Sequence, residues 1–186
     1  MAMQHTPLLM SNILDRGATV APNEEIVTLT ETGVRRQSYR ETRDRAHQLA
    51  HALAGIGIKV GDRVGTFMWN GSRHLEAYHA VAGMGAVLHT LNVRLSPKDL
   101  EYIINHAEDQ IIIVDADVLP LLEVLNGKIP TVRKIIVATE DGFEGWSTGL
   151  PDPVDYEAFI NGQPTHYEWP QIDENSPMGL CYTSGT

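Results

Sequence analysis

Cysteine and long apolar runs are scarce in this sequence. Its 186 residues include one cysteine, Cys181, which excludes an internal disulfide. The apolar neighbours of Cys181 predict a small buried residue in a reducing compartment rather than a nucleophile. No stretch reaches the roughly 18 apolar residues that span a bilayer, and the first residues lack the basic segment and apolar core of a secretory signal. These absences favour a cytoplasmic protein.

Positive charge is also scarce. The chain has 14 lysines and arginines against 24 aspartates and glutamates, giving a formal net charge of -10. An acidic surface repels phosphates, so we expect no nucleic-acid partner and no anionic membrane surface as a partner. Because 42% of the residues are hydrophobic, a packed core is within reach.

Apolar periodicity predicts that strands and helices alternate along the chain. The predicted strands are 60–69, 86–91, 110–115, 132–138 and 178–185, and the predicted helices are 38–57, 72–85, 96–108, 117–128 and 155–162. A hairpin turning at Glu31, Thr32 and Gly33 comes first, and 141–153 form a surface loop. This order implies an α/β fold with a predominantly parallel sheet flanked by helices. We expect one domain with an incomplete sheet.

Two helix starts carry strong local signals. Ser38 followed by Glu41 is a capping box, and Ser96 followed by Pro97 is a typical first turn. The continuous apolar stretch 110–115 is typical of a strand buried on both faces.

Two apparent motifs have better structural explanations. The glycine-rich stretch 55–61 follows a predicted helix and precedes a strand, whereas a dinucleotide-binding loop follows a strand and opens a helix. His47 and His51 have the spacing of a zinc protease, but Gln48 cannot act as its general base. We assign no metal site and no catalytic residue, including among the scattered histidines His74, His79, His89, His106 and His166.

The last four residues form the strongest candidate site. Thr183, Ser184, Gly185 and Thr186 lie at the end of the last predicted strand and offer backbone amides, three hydroxyls and a flexible glycine at one loop tip. Such a loop suits a triphosphate, although a plain β-turn has the same composition.

Three stretches, in this order, resemble the AMP-forming adenylating enzymes, the superfamily of acyl-CoA synthetases, luciferases and peptide-synthetase adenylation domains. They are 37–65 (QSYRETRDRAHQLAHALAGIGIKVGDRVG), 77–115 (AYHAVAGMG to IIIVD) and YTSGT at 182–186, the first half of a phosphate-binding motif. The resemblance runs from about residue 25 to the end. Stretch 89–108 is most similar to medium- and long-chain fatty acyl-CoA synthetases. Gly61, Asp62 and Gly83 also match family positions, and we assign them turn and packing roles.

The resemblance implies an AMP-forming acid–CoA ligase that uses ATP, Mg²⁺ and coenzyme A. The similarity to fatty acyl-CoA synthetases implies that the carboxylic acid is a fatty acid. The acid would react with ATP to form an acyl adenylate and pyrophosphate, and coenzyme A would then displace AMP. Thr183, Ser184, Gly185 and Thr186 would hold the β- and γ-phosphates.

The same resemblance implies that residues 1–186 are the N-terminal portion of an adenylation domain, ending inside the phosphate-binding loop. The adenine-, acid- and coenzyme-A-binding residues would lie downstream, so we expect the chain alone to be inactive. A proteolytic nick and an expression product that ends there both leave this terminus, and the mass of the purified protein separates them.

Two alternatives remain open at this stage. One is a non-catalytic interaction module that derives from an adenylating enzyme and pairs with a partner or with itself through an exposed sheet edge. The other is a superfamily member that acts on an aryl, short-chain or sulfur-containing acid. For the ligase fragment itself, we expect a homo-oligomer or an association with the missing remainder of the chain.

Overall fold

The structure, a computed structural model, describes residues 6–30, 33–140 and 148–183. Its helices are α1 (Met10–Val20), α2 (Tyr39–Gly55), α3 (Ser72–Gly83), α4 (Pro97–Ala107), α5 (Leu119–Glu123) and α6 (Tyr156–Ile160). Its strands are β1 (Glu25–Thr30), β2 (Gly33–Ser38), β3 (Arg63–Phe67), β4 (Val87–Thr90), β5 (Ile111–Asp115), β6 (Lys134–Ala138), β7 (Pro153–Asp155) and β8 (Gly179–Leu180).

Six strands form one parallel sheet in the order β7-β6-β5-β3-β4-β8. The chain starts this sheet at β3, places β4 on one side, and then crosses to β5 on the other side. The strand order therefore reverses between β3 and β5, and a crevice at the carboxyl ends of the strands is expected at that point. The predicted α/β class, with a parallel sheet flanked by helices, is confirmed.

Alternate residues of the central strands face two separate cores. Ile111 and Ile113 pack with α1, α2, α3 and α6 on one face, while Ile112 and Val114 pack with α4 and α5 on the other. The first four residues of β5 are fully buried, as the continuous apolar run predicts.

The predicted local signals are present at both helix starts. The Ser38 side chain accepts from the Glu41 amide while the Glu41 carboxylate accepts from the Ser38 amide, which completes the capping box. Ser96 caps α4 in the same way, with Pro97 in the first turn. The hairpin pairs β1 with β2 from Glu25↔Ser38 to Thr30↔Gly33, and its predicted turn residues Glu31 and Thr32 lie outside the described residues.

Several elements differ from the prediction. Helix α1 was not predicted, although its buried residues Ser11, Leu14 and Ala18 recur at helical spacing; its N-cap residue, Leu9, makes no side-chain cap. Helix α5 ends at Glu123 rather than at residue 128, and turns that include left-handed Gly127 follow it. Strand β7 begins at Pro153, where the sequence predicts loop; residues 141–147 of that loop lie outside the described part.

The end of the chain contains two further differences. Strand β8 has two residues instead of the predicted eight, and it lies at the edge of the described sheet. The prediction that Cys181 is buried is wrong, because the residue is exposed. It follows an edge strand with a neighbour on one side only, so the sheet does not cover it. Across the described ranges, no helix has the length and apolar character to cross a membrane.

Candidate functional site

The carboxyl ends of the parallel strands meet at one edge of the sheet, and the predicted phosphate-binding residues begin there. Thr183 lies three residues past the end of β8, is exposed, and has left the strand ladder. Its hydroxyl and amide are therefore available to a ligand at this edge. Ser184, Gly185 and Thr186 lie outside the described residues, so their role as phosphate-binding residues stays a prediction.

Tyr182 fixes the chain immediately before Thr183. Its hydroxyl is hydrogen-bonded to Nδ1 of His106 on α4 at 2.5 Å. Its ring lies against the His89 ring with a centroid distance of 5.1 Å, and it packs on the apolar core formed by α4 and α5. His106 and His89, which carried no assigned role in the sequence, thus meet at the start of the candidate loop.

A buried pair lies beneath Tyr182. Nδ1 of His89 on β4 is 2.7 Å from Oδ2 of Asp109, and both side chains have 0% exposure. Burial raises the pKa of the Asp109 carboxyl, and the bond to His89 opposes that rise. His89, inside the apolar stretch 86–91, was the one sequence signal for this pair, because Asp109 lies between the polar residues Glu108 and Gln110.

A second feature of the same edge is a crevice of about 670 Å³ at the reversal of strand order. It is lined by the loop after β3, by residues at the ends of β5 and β6, and by the hairpin. The lining residues include Trp69, Ser72, Asp115, Asp117 and Glu140. Its size lies within the range of small-molecule sites. Polar residues directly after predicted strands were the sequence signal that would have located it.

Asp115 joins two walls of this crevice. Its Oδ2 accepts the amide of Trp69 at 2.7 Å, and the Trp69 indole donates to Asp117 at 2.8 Å. Burial raises the pKa of Asp115 to about 6, with the Trp69 amide opposing the rise. The Asp115 carboxyl therefore takes up a proton at a higher pH than an ordinary aspartate does.

A network of ion pairs fastens the hairpin, α2, α3 and α6 beside the crevice. Fully buried Glu76 accepts from Arg45 and from Gln37 at 2.8 Å each, and from the Tyr156 hydroxyl at 2.7 Å. Glu157 accepts both terminal nitrogens of Arg45, a bidentate geometry. A buried carboxylate with this many donors is satisfied and structural.

The two histidines with zinc-protease spacing pack against the segment that leads to β8. Nδ1 of His47 accepts the amide of Tyr167 at 2.7 Å, and Nε2 of His47 lies 3.2 Å from Asp15. Nε2 of His51 lies 2.7 Å from the carbonyl oxygen of His166. Both rings are thus engaged in packing, and the described residues contain no group of three or more His, Cys, Asp or Glu that could hold a metal.

The family-like glycines and Asp62 have the turn and packing roles that the sequence predicts. Gly57 and Gly61 adopt positive φ angles of 87° and 84° after α2, where a side chain would be strained. Asp62 accepts the amide of Lys59 at 2.8 Å and the Gln110 side chain at 2.8 Å. Gly83 lies under Trp169, where a Cβ would come within 2.8 Å of the ring.

The sequence and the strand order can be compared with those of known proteins. Residues 14–186 match the family described as AMP-binding enzyme. The chain belongs to this family. The resemblance seen in the three sequence stretches is confirmed.

Similar curated proteins are acyl-CoA ligases. The chain is 36% identical over 185 residues to the medium-chain-fatty-acid–CoA ligase of Ectopseudomonas oleovorans and 40% identical over 185 residues to the long-chain-fatty-acid–CoA ligase of Thermus thermophilus. It is 38% identical over 188 residues to the 3-methylmercaptopropionyl-CoA ligase of Ruegeria lacuscaerulensis. Each match covers 99% of this chain but only 32–34% of the relative. The chain thus spans about a third of the length of these relatives.

The fold is also similar to that of a solved ligase. A crystal structure of the anthranilate CoA ligase AuaEII in complex with anthranoyl-AMP superposes with a TM-score of 0.85 and 26% sequence identity. That match covers 98% of this chain and 33% of the other. The parallel sheet and its flanking helices therefore have the arrangement found in one third of that enzyme.

Proposed function

We propose that residues 1–186 are the N-terminal portion of the adenylation domain of an AMP-forming acid–CoA ligase that activates a fatty acid. The observation that carries the proposal is the family match over 14–186, combined with relatives that are acyl-CoA ligases about three times as long.

The reaction has two balanced steps. A carboxylate oxygen attacks the α-phosphorus of ATP, pyrophosphate leaves, and an acyl adenylate forms. The thiolate of coenzyme A then attacks the acyl carbon, AMP leaves, and a thioester forms. The first step converts a poor electrophile, a carboxylate, into a mixed anhydride with a good leaving group.

This chain contributes the start of the loop that holds the leaving pyrophosphate. Thr183 is exposed at the carboxyl edge of the sheet, as such a loop requires. The hydroxyls and amides of Thr183, Ser184, Gly185 and Thr186 would orient the β- and γ-phosphates and offset the charge that develops on them. Mg²⁺, when bound, would neutralise part of the same charge, and we place none of its ligands within the described residues.

The fatty acid is proposed from the first-named relatives, which act on medium- and long-chain acids. The Ruegeria relative is nearly as similar and is named for a sulfur-containing acid, which keeps that substrate class as the alternative. Incubating the complete protein with ATP, coenzyme A and a panel of acids tests the choice. We expect most AMP with straight-chain fatty acids; most AMP with 3-methylmercaptopropionate or an aryl acid would reject the fatty-acid assignment.

We further propose a cytoplasmic location and an association of this chain with the remainder of the same domain. The hairpin exposes Leu29 by 84%, Val34 by 57% and Val27 by 55% on neighbouring positions, which is the kind of apolar strip that another surface covers. Co-purification of a separately expressed downstream segment, reduced by Leu29→Ser, would support the association. A stable homo-oligomer that excludes the downstream segment would support the interaction module instead, and cell fractionation tests the location.

A further inference from the structure

The backbone alone holds the candidate phosphate loop weakly. Strand β8 pairs with β4 at only two positions, Leu88↔Gly179 and His89↔Leu180, and the Leu88 amide adds one bond to the Met178 carbonyl at 3.1 Å. On its other side β8 has no strand neighbour in the described sheet. A two-residue edge strand frays readily, so the position of Thr183 depends on other contacts.

The side chain of Tyr182 makes those contacts, and its partners lie on two different elements. The hydroxyl is bonded to Nδ1 of His106 at 2.5 Å, and the two rings meet edge to face with centroids 5.8 Å apart. The ring also lies 5.1 Å from that of His89, which belongs to the neighbouring strand. Tyr182 therefore ties the loop start to both α4 and β4.

The surface on which Tyr182 rests is held in place by a buried hydrogen-bonded pair. His89 is held by Asp109 at 2.7 Å with both side chains fully buried. Gly65 makes room for the carboxylate, because a Cβ there would lie 3.3 Å from Oδ2 of Asp109 and 3.2 Å from Ile112. Asp109 directly follows the left-handed Glu108 that ends α4, so the pair fixes the end of α4 relative to β4.

We propose that Tyr182 is a positioning residue for the phosphate-binding loop, and that His106 is the group through which it acts. The inference rests on the proposed function and adds to that function the residues that hold Thr183 in place. Tyr182 touches none of the reacting atoms. It sets the starting point from which the following residues reach the β- and γ-phosphates, so its loss should weaken the productive binding of ATP and leave the acid site unaffected.

Kinetics of the complete protein test this. Tyr182→Phe and His106→Phe each remove the hydroxyl–imidazole bond while retaining a ring, and each should raise KM for ATP about threefold to tenfold, the range of one neutral hydrogen bond. KM for the acid should not change. Because both changes break the same bond, the double variant should be no worse than either single one. His106→Asn, which retains a hydrogen-bonding atom near the Nδ1 position, should restore most of the loss.

Tyr102→Phe is the matched control, because Tyr102 lies on α4 one turn before His106 and the substitution retains the ring that stacks on it. It should leave both KM values unchanged. A Tyr182→Phe enzyme with wild-type KM for ATP, or with equal changes in KM for ATP and for the acid, would overturn the proposal. So would additive effects of Tyr182→Phe and His106→Phe.

Hydrogen exchange separates this proposal from the proposed function. In the 186-residue chain, with no nucleotide, Tyr182→Phe and His106→Phe should each speed amide exchange in 179–183 about threefold to tenfold, and Tyr102→Phe should not. Unchanged amide exchange in 179–183 would overturn the proposed positioning role of Tyr182, even if the complete enzyme is active. If the complete wild-type protein proves inactive towards every acid while exchange accelerates as expected, the proposed function fails and the anchoring of residue 183 stands.

Discussion

Nδ1 of His89 and Oδ2 of Asp109 lie 2.7 Å apart with neither side chain exposed to solvent. The pair joins β4 to the end of α4 and supports the ring of Tyr182. Because burial raises the pKa of Asp109 and the histidine opposes the rise, neither partner is well accommodated without the other.

Removing one partner should therefore be costly. We expect Asp109→Ala to lower the free energy of unfolding by about 1–3 kcal/mol, since it leaves a buried imidazole nitrogen without its partner. Urea titration followed by circular dichroism measures the loss. Glu168→Ala is the control, because Glu168 makes an exposed pair with His166 that contributes at most about 1 kcal/mol. Equal effects of the two substitutions would mean that the buried pair contributes little.

The contact of Gly83 with Trp169 predicts a second stability effect. A methyl group on residue 83 would lie within 2.8 Å of the indole and would displace the segment that leads to β8. Gly83→Ala should destabilise the chain by about 1–3 kcal/mol and change Trp fluorescence. Gly55→Ala, at the end of α2 with no atom within 4 Å, should be neutral or slightly stabilising. A neutral Gly83→Ala would contradict the packing of Trp169 on α3.

His47 makes the same segment sensitive to acid. Burial lowers its pKa below the ordinary value of 6.5, and Nδ1 can accept the Tyr167 amide only while unprotonated. A lowered histidine pKa contributes stability that is fully present above pH 6.5 and is lost as the pH falls through the folded-state value. Asp15 opposes this lowering, whereas Arg43 and His166 reinforce it.

His47→Asn, which retains an acceptor near the Nδ1 position, removes the titration. The stability of the variant relative to wild type should rise as the pH falls from 7 to 5, as measured by urea unfolding at each pH. Parallel pH profiles of His47→Asn and wild type would show that His47 does not titrate in this range.

The contribution of Asp115 to stability depends on pH in the opposite direction to that of His47. Its pKa is raised from 3.8 to about 6, so its contribution is present at low pH and is lost as the pH rises through 6. Asp115→Asn retains an acceptor for the Trp69 amide and removes the charge. Relative to wild type, the variant should gain about 1–2 kcal/mol between pH 4 and pH 7, a range that allows for the partial exposure of this side chain. A constant difference across that range would contradict the raised pKa.

The parts of the fold that the sequence predicts are those with local causes. The Ser38–Glu41 capping box and the buried strand before Asp115 depend on neighbouring residues, and both are present. Helix α1 lacks a side-chain cap, and β7 is three residues that pair only because β6 lies beside them. Periodicity alone does not reveal β7, whereas the buried positions Ser11, Leu14 and Ala18 of α1 do recur at helical spacing.

In the candidate site, too, the residues that are contiguous in sequence could be predicted, and those brought together by the fold could not. The loop at Thr183 is recognisable because its residue types are contiguous, whereas His89 and Asp109 come together only when α4 packs on the sheet. Strand order decides which side chains share the crevice beside Asp115, and periodicity does not specify strand order. The burial predicted for Cys181 was wrong for that reason, since nothing local indicates that its strand is at an edge.

Fatty-acid-dependent exchange of labelled pyrophosphate into ATP measures the first half-reaction directly. We expect the complete protein to catalyse this exchange, Ser184→Ala to reduce it at least about tenfold through loss of a phosphate-binding group, and the 186-residue chain alone to show none. Acid-dependent exchange by the 186-residue chain alone, or its absence from the complete protein with every acid, would contradict the assignment of this chain as the N-terminal portion of an adenylating ligase.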